Sequence, residues 1–152
     1  MSLDQDARLL KSVPLFSAFD PDQLRLVAFG AETIDLAEGA VLFEEGETAD
    51  CGYLLLSGEL VFVSRETGHE TRVSDPGALV GELALLTETL RPATATAAVD
   101  TRVMAITRRL LRRVLEEYPA MAEIIRMTLA ERIAALNDEL KALRPSFEGR
   151  KD

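Results

Sequence analysis

Apolar positions recur with two different periods along this 152-residue chain, and the changes of period divide it into three parts. Near the N-terminus, Leu9, Leu10 and Val13 make the apolar side of a short helix from Asp6 to Val13, stopped before Pro14. Asp20-Pro21-Asp22 opens a second helix with an N-cap aspartate, proline at the first position and an early acid. Leu24, Leu26, Val27 and Phe29 carry that helix to Gly30, which is expected to end it. Beyond Gly30 the period falls from about 3.6 to 2. Short strands are expected at Ile34-Asp35-Leu36, Val41-Leu42-Phe43, Tyr53-Leu54-Leu55-Leu56, Leu60-Val61-Phe62-Val63, Thr71-Arg72-Val73 and Leu79 to Gly81, then at Ala93 to Val99 and Thr101 to Ile106. Gly- and Pro-containing turns separate them at the spacing of an antiparallel sandwich or barrel. From Thr107 the helical period returns through Leu110, Leu111, Val114 and Leu115. Tyr118-Pro119 interrupts it, and a last helix runs to about Leu143.

The expected architecture is therefore mainly β with flanking helices: an antiparallel β-roll of about eight strands over residues 31–107, a helical N-terminal segment, and two C-terminal helices over 107–143. Residues 1–143 read as a single domain and 144–152 as a flexible tail. Composition narrows the class. With 47% hydrophobic and 28% charged residues the chain reads as globular, and no apolar run approaches the roughly 18 residues of a membrane span. The acidic start lacks the basic-then-apolar pattern of a signal peptide, and the one cysteine cannot form an internal disulfide, so a cytoplasmic location is expected. The net charge of −9 argues against a nucleic-acid surface. Residues 1–106 hold 7 Lys/Arg against 18 Asp/Glu, a net of −11, so any anion site must be local and largely buried.

The stretch from Leu79 to Val99 carries the candidate chemistry. Gly81 precedes one helical turn over Glu82-Leu83-Ala84-Leu85-Leu86, whose first N–H groups and dipole favour an anion. Arg91 follows nine residues after Glu82 and can return across a polar loop to the same spot, with a guanidinium fork suited to phosphate oxygens. The Glu82 carboxylate would repel a phosphate but accept from hydroxyls, so the set suits a sugar phosphate. The same residues also fit a buried Glu82–Arg91 ion pair that closes a loop and binds nothing.

Gly81-Glu82-Leu83-Ala84-Leu85-Leu86 followed by Arg91-Pro92-Ala93-Thr94 resembles the phosphate-binding cassette of cyclic nucleotide-binding domains. The run from Gly46 to Leu60, with glycines at both turns, resembles the same family's two-strand signature. The resemblance covers about Leu15 to Leu143. It implies a double-stranded antiparallel β-helix of the jelly-roll, cupin-like type and a regulatory rather than catalytic role, with a cyclic nucleotide as ligand. It also implies a site at Gly81, Glu82, Leu83, Ala84, Arg91 and Pro92, where the glutamate takes the ribose 2′-hydroxyl and the arginine the cyclic phosphate. The amides of Leu83 and Ala84 would complete the phosphate socket. Small inward residues at Ala93, Ala95 and Ala97 would leave room for ligand. Pro92 departs from the family pattern: it has no N–H to give a phosphate and no hydroxyl, which points to weakened binding and to cyclic AMP over cyclic GMP. Leu90 replaces the proline that often precedes the arginine. Arg126 and Thr128 are candidates to cap the base.

Other chemistry is thin. His69 is the single histidine and sits in a glycine-containing turn, so neither a metal site nor a Ser-His-Asp set is expected. Cys51 has no histidine within motif distance and reads as structural. Arg108, Arg109, Arg112 and Arg113 form a basic helix face, read as solvated or facing acidic residues. Leu129, Leu136 and Leu143 share one heptad position, and Ile133 and Leu140 the other. That stripe could pack on the chain's own sandwich. Because catabolite activators dimerise through this helix, the resemblance implies a homodimer, with an unknown downstream protein receiving the signal. The alternative is a dimeric interaction module with a degenerate, ligand-free cassette. A transcription factor of the catabolite-activator type would need a winged helix-turn-helix beyond Leu143.

Overall fold

The computed structural model describes residues 3–132 and 134. Two N-terminal helices, α1 (Leu3–Lys11) and α2 (Pro21–Gly30), flank a single 3-10 turn at Pro14–Phe16. Ten strands follow: β1 (Glu32–Leu36), β2 (Val41–Phe43), β3 (Thr48–Ala49), β4 (Cys51–Ser57), β5 (Leu60–Val63), β6 (Glu70–Val73), β7 (Leu79–Val80), β8 (Thr89–Leu90), β9 (Thr94–Ala97) and β10 (Thr101–Thr107). Helix α3 (Arg108–Glu117) and a further helix over 119–132, α4, complete the described chain.

The expected N-cap at Asp20 is present in full. Its side chain accepts from the Gln23 amide at 2.8 Å while the Gln23 side chain accepts from the Asp20 amide at 2.9 Å, a capping box that satisfies two end donors of α2. Gly30 ends α2, as expected, and a Cβ there would stand 2.4 Å from Leu110 Cδ1. The bare position lets α3 lie against α2.

Two four-stranded antiparallel sheets form the roll, in the orders β1-β10-β4-β7 and β2-β9-β5-β6, and β3 pairs with β8 as a separate two-stranded ribbon. The mainly β, jelly-roll architecture with helical flanks is thus observed. The expectation of about eight strands omitted β3 and β8, each only two residues long and too short for an alternating pattern to register.

Strands β4 and β10 explain how the helices attach. Both are almost continuously apolar because both faces are covered. On β4, Leu54 packs into a core with Phe16, Phe19, Val27 and Leu111, whereas its neighbour Leu55 turns into the inter-sheet cluster with Leu60 and Val103. On β10, Met104 and Ile106 join the helical core while Val103 faces between the sheets. Each fully buried Leu or Phe contributes about 1.5–3 kcal/mol.

Helix α4 is held to this core by Met121, Ile125 and Leu129, the last only 1% exposed. Leu129, expected to begin a dimer seam, is therefore occupied by its own domain. A buried leucine at this face of a helix cannot also serve an interchain contact. Ile133, Leu136, Leu140 and Leu143, and the tail at 144–152, lie outside the described residues.

Candidate functional site

Gly81 adopts φ 74°, ψ 31°, a left-handed conformation natural to glycine, and turns β7 into a short 3-10 helix, Glu82–Leu85. A Cβ at Gly81 would stand 2.7 Å from Arg91 Nη1, so the missing side chain is what lets the guanidinium come up beneath the turn. The helix type changes the supply of donors. An α-turn would leave the amides of Glu82, Leu83 and Ala84 without intrahelical acceptors; the tighter i→i+3 pattern engages Ala84, whose N–H donates to the Gly81 carbonyl at 3.1 Å. Glu82 and Leu83 are left as the turn's available amides. Ala84 and Leu85 are buried in the core and anchor the turn from below, while Leu83 and Leu86 are exposed.

Arg91 follows β8 directly, and its main chain is fastened on both sides: its N–H donates to the Glu47 carbonyl and its own carbonyl accepts from Gly46 N–H, each at 2.8 Å. The β3–β8 ribbon, with Thr48 opposite Leu90, continues into this clamp. The side chain runs inward and is 6% exposed. Nη2 donates to the Cys51 carbonyl at 3.0 Å, with the Cys51 sulfur at 3.5 Å as a weak second acceptor. The guanidinium carbon lies 4.3 Å from the Phe43 ring centre and 5.3 Å from that of Tyr53, two rings that stack on each other at 5.8 Å. This is a cation–π seat. Burial, reinforced by Cys51 and Asp50 and opposed by Arg91, pushes the Tyr53 phenol above its ordinary pKa, so it stays protonated at neutral pH.

Gly81 and Arg91 are thus brought together as the sequence implied, but Glu82 and Arg91 do not form the loop-closing ion pair that was the alternative. Among the described residues no carboxylate pairs with Arg91, and its Nε and Nη1 donate to no acceptor. Glu82 instead accepts from Nε of Arg132 on α4. Of the two residues considered for base capping, Arg126 pairs with Glu123 at 2.9 Å and Thr128 Oγ1 donates to the Ile124 carbonyl at 2.8 Å; neither bonds to Glu82 or Arg91. Pro92 is exposed, and Ala95 and Ala97 point inward while Ala93 is half-buried.

Sequence reasoning missed the aromatic floor, Arg132 and Arg108. Phe43 and Tyr53 sit on strands of different sheets, and only the closed roll brings them under Arg91. Arg108 was read as part of a basic face, yet its Nε donates to the Ala84 carbonyl at 2.9 Å and its Nη2 to the Ala49 carbonyl at 3.1 Å. Among the described residues no group of His, Cys, Asp and Glu side chains could hold a metal ion, and no helix is long and apolar enough to cross a membrane.

A jelly-roll whose glycine-led turn closes over a buried arginine, with helices packed before and after the strands, has the architecture of a nucleotide-binding regulatory domain. The family model of the cyclic nucleotide-binding domain matches residues 33–118, and the chain belongs to that family. A solved cyclic nucleotide-binding-like protein from Brucella abortus is 44% identical, with a TM-score of 0.67, covering 74% of this chain and 99% of that one. The cyclic AMP receptor protein of Thermus thermophilus is 30% identical over 142 residues, 91% of this chain and 65% of that protein. Lysophospholipase nte1 of Aspergillus fumigatus is 31% identical over 119 residues, which are 76% of this chain. The chain spans only about 8% of the length of that lysophospholipase.

Proposed function

We propose that this chain is a regulatory module that binds a cyclic nucleotide, cyclic AMP in preference to cyclic GMP, and signals occupancy through its C-terminal helices. The observation that carries the reading is Arg91: a guanidinium 6% exposed, seated on two aromatic rings, with no carboxylate partner among the described residues. A buried cation without a counter-charge is costly, and an anion that reaches it recovers that cost. In this reading the cyclic phosphate takes Nε and Nη1 of Arg91 and the amides of Glu82 and Leu83. A ribose hydroxyl takes the Glu82 carboxylate.

The same geometry supports a route for signal output. Glu82 is held by Arg132 of α4, so a ribose hydroxyl competes with a helix side chain for one carboxylate. Binding would loosen the end of α4, and a downstream protein that reads this helix would sense it. Preference for cyclic AMP rests on Pro92, which offers neither hydroxyl nor N–H.

Calorimetric titration of cyclic AMP and cyclic GMP into wild type and Arg91→Met tests the reading. Micromolar binding of cyclic AMP is expected, with cyclic GMP weaker. Losing two hydrogen bonds from a charged donor costs about 3 kcal/mol or more, so the variant should bind on the order of a hundredfold less tightly. No heat from either nucleotide at ~1 mM would overturn the reading, as would undiminished binding by the variant.

A further inference from the structure

We propose that Arg108 is the positioning residue of the site, holding the Glu82 turn in register with Arg91 and thereby setting the weight given to the ribose hydroxyl. The proposal rests on the cyclic-nucleotide reading and adds a residue to it. Arg108 opens α3, and three of its donors meet carbonyls on both lips of the cassette. Its amide donates to Asp50 O at 2.8 Å, its Nη2 to Ala49 O at 3.1 Å, and its Nε to Ala84 O at 2.9 Å. Ala49 lies opposite Thr89 on the ribbon that leads to Arg91, and Ala84 lies two residues beyond Glu82 in the turn.

The two arms of the site are not held alike. Arg91 is fixed by its own main-chain bonds to Glu47 and Gly46 and by the Cys51 carbonyl. The main chain of residues 82–87 bonds mostly to itself: Ala84 to Gly81, and Leu86 and Thr87 to Leu83. Among the described residues, and beyond the Ala84 bond to the adjoining Gly81, Arg108 provides the one hydrogen bond from that stretch of main chain to the rest of the fold. Loss of Arg108 therefore frees Glu82 far more than it frees Arg91.

Helix stability does not account for an arginine here. The N-terminus of a helix disfavours a cation, and the first turn of α3 has no acidic residue to offset it. The Thr107 hydroxyl, which accepts from the Leu110 amide at 3.0 Å, already caps the helix. Nor does Arg108 form an ion pair among the described residues. A planar fork that reaches two carbonyls at once is a task a lysine, with one compact ammonium, performs only in half.

The test compares cyclic AMP with 2′-deoxy cyclic AMP, titrated calorimetrically into wild type, Arg108→Met and Arg108→Lys. Wild type should favour the 2′-hydroxyl ligand about tenfold. Arg108→Met should lose most of that preference while keeping the affinity of wild type for the deoxy ligand within about threefold, and Arg108→Lys should fall between. Hydrogen exchange at the amides of residues 82–87 should accelerate in both variants while that at Arg91 is unchanged. Should Arg108→Met fail to fold, Arg108→Lys carries the same comparison. An equal loss of both ligands with the preference intact would make Arg108 merely structural and overturn the proposal, as would wild-type behaviour of both variants. If wild type binds neither nucleotide, the cyclic-nucleotide reading itself falls and takes this proposal with it.

Discussion

Replacing Arg91 by methionine should weaken ligand binding on the order of a hundredfold without weakening the fold, and the separation of those two effects is a sharp test of what the residue is for. Three quantities set the expectation. The hydrogen bond from Nη2 to the Cys51 carbonyl involves a charged donor and contributes about 1.5–3 kcal/mol. The approach to Phe43 at 4.3 Å adds about 1–2 kcal/mol for a largely desolvated cation. Against these stands the desolvation of a guanidinium 6% exposed and without a carboxylate partner among the described residues, several kcal/mol per ion. The terms nearly cancel, and methionine fills similar space against two aromatic rings. The urea-unfolding free energy of Arg91→Met should therefore lie within about 1 kcal/mol of wild type or above it, a shift in midpoint temperature of no more than about 4 °C. Had Arg91 been one half of a buried ion pair, removing it would cost about 3–5 kcal/mol. A measured loss of that size would refute the reasoning and return Arg91 to a structural role. Binding loss with stability retained would mark it as held for a ligand.

Gly81→Ala forces a left-handed residue costing about 1–2 kcal/mol and sets a methyl 2.7 Å from Arg91 Nη1, so cyclic AMP affinity by calorimetry should fall at least about tenfold. Arg132→Ala removes a half-exposed competitor for Glu82 worth about 0.2–1 kcal/mol, so cyclic AMP binding should tighten by up to about fivefold and hydrogen exchange in α4 should rise. Leu129→Ala should cost about 2–5 kcal/mol of unfolding free energy, and because Leu129 packs in its own domain, the urea midpoint difference should not vary with protein concentration. Arg102 holds the Asp35 carboxyl below its ordinary pKa by a hydrogen bond; its stabilisation is present above that ordinary value and is lost as pH falls through the lowered one. Both side chains reach solvent, so the acid-side slope should shrink in high salt and be absent in Arg102→Met.

Local signals in the sequence were enough to place Gly81 and Arg91 against each other. Gly81, the turn after it and Arg91 are separated by only a few residues, and a glycine at a strand-to-turn junction has few uses. What the sequence could not show is where more distant residues meet this stretch. Phe43 and Tyr53 are ordinary inward strand residues until the two sheets close. Arg132 is fifty positions from Glu82, and no period along the last helix marks it out. Arg108 stood within an Arg-rich face and looked like its neighbours; its contacts depend on where β10 ends. Helix type was equally hidden, since four residues cannot reveal an i→i+3 from an i→i+4 pattern, yet it decides whether Ala84 has an amide to offer. The leucine stripe misled at Leu129 for a related reason: a heptad seam and the inner face of a surface helix have the same period over two turns.

The clamp that holds Arg91 by Gly46 and Glu47 belongs to a turn that also carries Glu44 and Glu45, so this cation, the one buried among the described residues, is flanked by carboxylates in a body where residues 1–106 carry a net charge of −11. A nucleotide approaching through solvent meets repulsion first and attraction only on contact. If Arg91 is the ligand's seat, entry should be slowed while escape is governed by the buried contact. Because the repulsion acts at long range and is screened over about 8 Å at physiological ionic strength, salt should speed association here, the reverse of its effect on proteins that steer anions with an open basic surface. On the proposed reading, the domain would ignore anions at a distance and respond to the one that fits.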